Sequence, residues 1–538
     1  MSRIATPYKR SPNNEGYDAI VIGSGIGGLA AAALLSRLAG QRVLVLERHY
    51  TAGGYTHTFR RPDYEWDVGV HYIGSVHPKT LLGKFLGVIT DSTLEWADMG
   101  PVYDRIIIGD DSFDLVRGRE ALKDQLKGYF PNESAAIDAY FSLIREVNEA
   151  SGGYFLEKAL PDLLSRLLGP RLTRSFFELA QRTTREVLEE LTDDQQLIAV
   201  LTGQWGDYGL PPAESSFAMH AMLVNHYIHG AVYPVGGSAR IAESIVPVIE
   251  EGGGKVLVRA EVEEVVVEDG RAVGVQMADG VIIRAPVVIS GAGLFNTYQK
   301  LLPQEVSRSH GLERTLQKVQ PSAAHLCLYI GLKHTAEELG LEKTNLWIYP
   351  DENVERNLNR IEEDREAPLP LVYLSFPSAK DPDFSRRFPG RATIEAITVA
   401  PFQWFEKWEG TPWKKRGEDY EAFKEELSQR MLEALYEQVP QVRGKVDVYE
   451  LSTPLTTQHF CAYERGEIYG LDHTPSRFRQ RFLRPTTPVN GLYLTGQDIA
   501  TCGVAGGLFG GVLAAAAVIQ RSPTLLAKSA SFLLGSAR

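Results

Sequence analysis

Residues 17–47 read YDAIVIGSGIGGLAAAALLSRLAGQRVLVLE, and this stretch decides the fold. Tyr17–Ile22 is a largely apolar run with β-branched residues, the pattern of a buried strand. Gly23-Ser24-Gly25-Ile26-Gly27-Gly28 follows directly, and an Ala- and Leu-rich helix then runs to about Leu38, ended by Gly40. Val43–Leu46 is the next strand, closed by Glu47. One βαβ unit of this length, starting almost at the N-terminus, predicts a Rossmann-type dinucleotide-binding domain. Gly23 permits the tight turn, Gly25 lets the backbone approach a pyrophosphate, and Gly28 allows the helix to pack closely on the sheet. With Ile26 and Gly27, the helix start then offers N–H groups and a positive dipole end to phosphates. Glu47 stands 19 residues past Gly28, where a carboxylate accepts hydrogen bonds from ribose hydroxyls and disfavours a 2′-phosphate. A structural glycine turn needs none of these neighbours.

Three further segments separate FAD from NAD. Gly53-Gly54 follows Glu47 and Arg48 within a short loop and brings backbone close to the pyrophosphate. Val287–Gly293 reads as a returning strand ending in a small-residue turn at Gly293. Residues 491–507, GLYLTGQDIATCGVAGG, read as an apolar strand, then Gly496, Asp498 and a glycine-rich helix start at Gly503, Gly506 and Gly507. Asp498 can accept from a ribityl hydroxyl, and the helix start can face the flavin or its phosphate. An ordinary helix N-cap is the alternative for Asp498. No second G-x-G-x-x-G follows a strand, so the expected redox partner is an external electron donor or acceptor rather than a resident nicotinamide domain.

The chain has 538 residues and a net charge of −12 from 56 basic and 68 acidic side chains, which argues against a nucleic-acid surface. Cys327, Cys461 and Cys502 are scattered and odd in number, so neither a disulfide framework nor a metal site is expected, and a reducing, cytoplasmic compartment fits best. Residues 1–16 are polar and do not read as a secretory signal. The most apolar late stretch, Gly506 to Ile519, is too short to span a membrane. Leu525–Leu534 is a short apolar tail, with Lys528 inside it, that reads either as a membrane-surface segment or as a frayed helix.

Three-to-four spacing predicts helices over Ile137–Ala150, Pro161–Leu168 and Phe176–Leu191. A strand-rich block covers Lys255–Arg259, Glu261–Glu268, Ala272–Met277, Val281–Arg284 and Val287–Ser290, with a turn at Asp269-Gly270. Ala324–Ile330 and Pro370–Phe376 belong to a second sheet, and residues 417–438 form an amphipathic helix. The expected architecture is α/β: an FAD domain of the two-dinucleotide type from residues 1–90, 231–300 and 485–525, an inserted mixed α+β substrate domain from 91–230 and 301–484, and a tail at 526–538.

These motifs resemble the carotenoid desaturase and isomerase superfamily of flavoproteins, with amine oxidase and phytoene desaturase-like folds, and within it a retinol saturase-like branch. The resemblance covers Tyr17–Glu47, Ala52–Phe59, Trp66–Gly74 (WDVGVHYIG), Phe217–Gly237, Gly291–Pro303 (with GLFNTY) and Gly491–Gly507. The stretches at His71-Tyr72, Asn225-His226-Tyr227 and Leu294-Phe295-Asn296 are the more specific to that branch. The resemblance implies hydride transfer between flavin and a carbon–carbon double bond of a long apolar polyene, retinoid or carotenoid-like. It also implies peripheral membrane contact, because such a substrate is stored in a membrane.

Saturation needs a proton delivered to the second carbon. The candidates are His71, Tyr72, His226 and His229, with His71 foremost because it follows the segment expected under the flavin. A histidine in such a loop also serves as a structural donor. Tyr233-Pro234 with Gly236-Gly237 is expected to bring backbone near flavin or substrate, or to be a plain turn. Phe402, Trp404, Phe405 and Trp408 could line a channel or touch lipid, or be core. Three rivals stand beside this reading: a cis–trans isomerase using reduced flavin, which shares every motif; an amine oxidase, which fits the fold but not the saturase-like stretches; and a non-catalytic lipid-binding escort protein of the same architecture, against which Gly23, Gly25, Gly28, Glu47 and Asp498 count.

Overall fold

Ala19–Ile22 and Val43–Glu47 are strands buried along their whole length, as uninterrupted apolar runs require when both sheet faces are covered. The computed structural model describes residues 4–10 and 16–526. Around these two strands stands a six-stranded, wholly parallel sheet in the order 6–7, 255–258, 43–47, 19–22, 288–290, 492–494. Helix Ile26–Ala39 crosses between the first two long strands and ends at Gly40, φ +60°, whose N–H closes the last turn.

Helix Gly503–Gln520 lies against Ile26–Ala39, and glycines set their approach. A Cβ on Gly511 would stand 2.5 Å from the Gly27 carbonyl oxygen, and one on Gly510 would stand 2.2 Å from that of Gly496. The apolar stretch therefore extends beyond Gly506–Ile519 to an 18-residue helix, long and apolar enough to cross a membrane by length and composition alone. It is mostly buried in the core on one face of the parallel sheet, with Leu508, Ala514 and Ala515 in one cluster with Leu29 and Ala30. Most of the expected tail segment Leu525–Leu534 lies outside the described residues.

The strand-rich block forms an antiparallel meander, 262–268, 271–277 and 282–284, turning at Asp269-Gly270 where both residues have positive φ. A seven-stranded mixed sheet is built from 446–452, 325–333, 391–399, 372–375, 345–349, 102–108 and 111–116, in that order. Amphipathic helix Glu418–Gln438 covers one face through Phe423, Leu427, Met431 and Leu435. Phe405 and Trp408 are core residues of that same layer. Hairpin 58–67 reaches this sheet from the N-terminal segment: Trp66 is buried against Cys327 and Tyr329, and its Nε1–H donates to the Ile330 carbonyl at 3.0 Å.

In the helical region, Arg119–Tyr129 precedes Ser134–Ala159, which is longer than its periodicity predicts at both ends. Asp162–Leu172 follows Pro161. The expected single helix over Phe176–Leu191 is two, Arg174–Ala180 and Thr184–Glu189. Thr183 restarts the helix through a reciprocal cap with Glu186, a stronger local signal than the spacing.

Candidate active site

Where the parallel strands end, the chain leaves a cavity of about 480 Å³. Gly23, Gly25, Ile26, Gly27, Gly28, Glu47, Arg48, Gly53, Gly54, Gly496, Gly503 and Gly507 stand on its wall. Gly23 has φ +91°, and Gly28 packs so closely that a Cβ would stand 2.2 Å from the Gly23 carbonyl oxygen. Gly25 is different: its φ of −59° suits any residue, and a Cβ there would meet nothing within 4 Å. What requires glycine at position 25 is therefore the space in front of it. No side chain caps either helix start at Gly25 or Cys502, so both present bare backbone amides toward the cavity.

Glu47 is held from its own side of the sheet. Its Oε2 accepts the Ser24 N–H at 2.8 Å and the Ser24 hydroxyl at 2.7 Å, and its Oε1 accepts the His49 N–H at 2.8 Å. A carboxylate fixed this way retains lone pairs for a ribose. Arg48 donates to the His459 carbonyl. Gly53 is tied back to Ser24 by its N–H, 3.2 Å from both the carbonyl and the hydroxyl oxygen.

Three expected cofactor residues stand off the wall. Gly506 packs on its own helix turn, where a Cβ would stand 1.8 Å from the Thr501 carbonyl oxygen. Gly293, φ +89°, faces Tyr463 and Asp498. Asp498 is buried behind the wall, and its Oδ2 accepts the Leu294 N–H at 2.6 Å, so it fixes the turn after the returning strand. Capping explains it, but of a neighbouring segment rather than its own helix.

Of the four expected catalytic residues, His71 alone is on the wall. Its Nδ1 lies 2.8 Å from Oε2 of the fully buried Glu395, whose Oε1 accepts the Asp67 N–H at 2.9 Å. Burial, then the Lys380 cation, holds the imidazole neutral, while burial raises the Glu395 carboxyl well above its usual range. The contact is thus a neutral hydrogen bond, and His71 is no store of protons at pH 7. His226 is structural: its Nε2 accepts the Gly74 N–H at 2.8 Å, and burial lowers its pKa to about 4. His229 is exposed on a turn away from the cavity. Tyr72 sits just behind the wall, stacked on Tyr227 with ring centroids 4.3 Å apart. The Tyr233–Gly237 turn is likewise elsewhere: Tyr233 donates to Asp67, and the Gly236 N–H donates to Asp381 at 3.0 Å.

Sequence reading missed a polar cluster behind His71. Buried Lys380 donates to the His71 carbonyl at 2.9 Å, to Ser375 Oγ at 2.7 Å and to Asn345 Oδ1. Asn345 donates to Asp104 at 2.9 Å, and Tyr72 joins Asp104 to Asp207, which is on the wall. Charged residues inside the apolar strands 102–108 and 391–399 are the visible signal for Asp104 and Glu395; Asp207 lies between Gly206 and Gly209, and Lys380 has no signal at all. The far wall is apolar and aromatic, with Trp347, Leu371, Tyr373, Ile397, Val399 and Tyr469. Among the described residues no group of His, Cys, Asp and Glu is arranged to hold a metal ion.

One cavity thus joins a glycine-lined, amide-rich end suited to a dinucleotide to an apolar end suited to a long hydrocarbon. The profile of the family described as "Flavin containing amine oxidoreductase" matches residues 26–519. All-trans-retinol 13,14-reductase of Danio rerio is 40% identical over 530 residues, covering 94% of this chain and 87% of that protein. Prolycopene isomerase 2 of an Oncidium hybrid cultivar is 28% identical, covering 93% and 83%. Putrescine oxidase has the same fold, with a TM-score of 0.61 at 16% identity over 94% of this chain and 100% of that one.

Proposed function

The chain belongs to the flavin-containing amine oxidoreductase family and is an FAD-dependent oxidoreductase, and from that premise we propose that it saturates a carbon–carbon double bond of a retinoid-like polyene. The observation that carries this reading is the single cavity in which the glycine cradle and the aromatic wall meet. When bound, the flavin supplies the hydride. Gly23, Gly25, Gly27, Gly28 and the helix starts at Ile26 and Gly503 would hold its pyrophosphate, Glu47 the adenosine ribose, and Gly53, Gly54 and Gly496 the passage toward the ring. Trp347, Leu371, Tyr373 and Tyr469 would align the polyene and exclude water. His71, fixed by Glu395 and Lys380, shapes the wall where the two ligands meet and acts as a positioning residue. The FAD-binding unit is best drawn from residues 1–90, 231–300 and 485–525, and the substrate unit from 91–230 and 301–484, with hairpin 58–67 bridging them.

The test is anaerobic: the reduced protein is mixed with all-trans-retinol, and flavin oxidation and product mass are followed. A product two hydrogens heavier supports saturation; a polyene of changed geometry and unchanged mass supports isomerisation instead. Reducing equivalents come from an external two-electron donor.

A lipid surface is the proposed source of the substrate. Leu156, Leu163, Leu164, Leu167 and Leu168 are exposed, Leu163 by 70% and Leu167 by 67%. Arg166, Arg171 and Arg174 are exposed on the same and the following helix, and exposed Arg479 and Arg481 share a pocket with Gly169 and Arg174, in a chain of net charge −12. A leucine face rimmed by arginine suits an anionic bilayer, into which the leucines insert while guanidinium groups meet headgroup phosphates.

A further inference from the structure

The Tyr72 hydroxyl carries one hydrogen, yet two carboxyl oxygens lie within hydrogen-bond distance of it: Asp207 Oδ2 at 2.7 Å and Asp104 Oδ2 at 2.9 Å. A phenol donates that hydrogen to one acceptor. The second contact is a hydrogen bond only when the other carboxyl is protonated and donates to the phenol oxygen. Two ionised carboxylates flanking one hydroxyl would also repel each other in a buried site. One of the pair is therefore a carboxylic acid in the folded protein.

Their surroundings decide which. Asp104 accepts two amide N–H groups, from Asn345 at 2.9 Å and from Gln204 at 2.6 Å, and the Lys380 cation sits on the far side of Asn345. Burial raises the Asp104 carboxyl to about 6, but these donors and the nearby Lys380 pull it back toward its ionised form, so it stays the more acidic of the pair. Asp207 has phenols as partners, from Tyr72 and Tyr227, and the Asp104 charge beside it. Burial raises the Asp207 carboxyl far above its usual range, and Asp104 raises it further. Asp207 also stands on the cavity wall, whereas Asp104 does not. Its turn, Trp205–Asp207, is tied to the cofactor end by Cys502, the residue preceding helix Gly503–Gln520, whose Sγ–H points at the Asp207 carbonyl at 3.5 Å.

The geometry points to Asp207 as the catalytic proton donor to the substrate double bond, with Tyr72 and Asp104 as positioning residues that keep its proton in place. This rests on the saturation reading. Bound reduced flavin would supply a hydride to one carbon, and Asp207 gives its proton to the other. One π bond is lost, two C–H bonds form, the hydride donor would be left oxidised and Asp207 is left as carboxylate. A solvent proton restores the acid, and a two-electron donor of the nicotinamide or quinol class restores the flavin.

The test pairs infrared spectroscopy of the FAD-loaded protein with single-turnover kinetics on Asp207→Asn and Asp104→Asn. The wild-type minus Asp207→Asn difference spectrum should contain the carbonyl stretch of a protonated carboxyl. That band should disappear at high pH, and at lower pH in Asp104→Asn, where the neighbouring charge is gone. Reduced Asp207→Asn should keep its FAD and be reoxidised by all-trans-retinol ~100-fold or more slowly. In D2O the wild-type product should carry two deuterium atoms, because the hydride of reduced flavin and the Asp207 proton both exchange with solvent before transfer. A difference spectrum without the band, or wild-type reoxidation by Asp207→Asn, overturns Asp207 as donor while leaving saturation intact. A wild-type reaction that leaves the polyene mass unchanged removes the saturation reading and the donor with it.

Discussion

His71 Nδ1 meets Glu395 Oε2 at 2.8 Å across 324 positions of sequence, and this contact joins the flavin-side segment to the seven-stranded sheet. Glu395 is fully buried in strand 391–399, where a charge would be costly. Its partners make sense of it: one oxygen fixes the Asp67 backbone, the other fixes the His71 ring, and Lys380 holds the His71 carbonyl. The cavity wall is positioned by this cluster.

His71→Phe should lower turnover about 10-fold while leaving FAD bound, because misplacing the wall by a fraction of an ångström costs orientation rather than cofactor affinity. Steady-state rates beside the flavin content of the purified protein check this. Unchanged turnover removes His71 from the site, and loss of flavin makes it a cofactor residue.

Gly25 and Gly28 should fail in different ways. Gly25→Val places its side chain in open space at a permissive φ, so the apoprotein should melt at the wild-type temperature yet retain little FAD. Gly28→Ala drives a Cβ against the Gly23 carbonyl and should destabilise the fold by about 1–3 kcal/mol. Thermal melts of apoprotein, with and without added FAD, distinguish the two.

The reductive step should have an alkaline limit. Burial and Asp104 push the Asp207 carboxyl up to about 8, so it is an acid below that pH and a carboxylate above it. Retinol-driven reoxidation should therefore be flat on the acid side and fall as pH rises through about 8. A rate that instead increases with pH assigns the group the role of base.

Leu163→Asp combined with Leu167→Asp should abolish co-sedimentation with phosphatidylglycerol vesicles, and added salt should weaken binding of the wild-type protein. Turnover on detergent-dispersed retinol should not change. Vesicle binding that survives both changes locates the contact elsewhere.

The cofactor end was legible in the sequence because its chemistry lies in a contiguous run: strand, glycine turn, helix and acid follow one another from Ala19 to Glu47, and their spacing is the geometry. The antiparallel meander was legible for the same reason, through its alternation and the Asp269-Gly270 turn. The polyene end was not. Glu395, Lys380, Asn345, Asp104 and Asp207 come from five separated segments that only the packed sheets bring together. Of the four candidate catalytic residues, only His71 holds a position on the cavity wall. Strand and turn geometry puts His71 on the wall and Tyr72 behind it, although they are neighbours in the chain. At Asp498 the sequence left two readings, because its acid-before-glycine pattern suits a ligand contact and a backbone cap equally well.

The most direct test of the central claim is to reduce the purified protein anaerobically with dithionite, add all-trans-retinol, and record the visible spectrum and the mass of the product together. Flavin bands that return as a product two hydrogens heavier accumulates are the expected result. Flavin that stays reduced, with the polyene unchanged in mass, contradicts saturation.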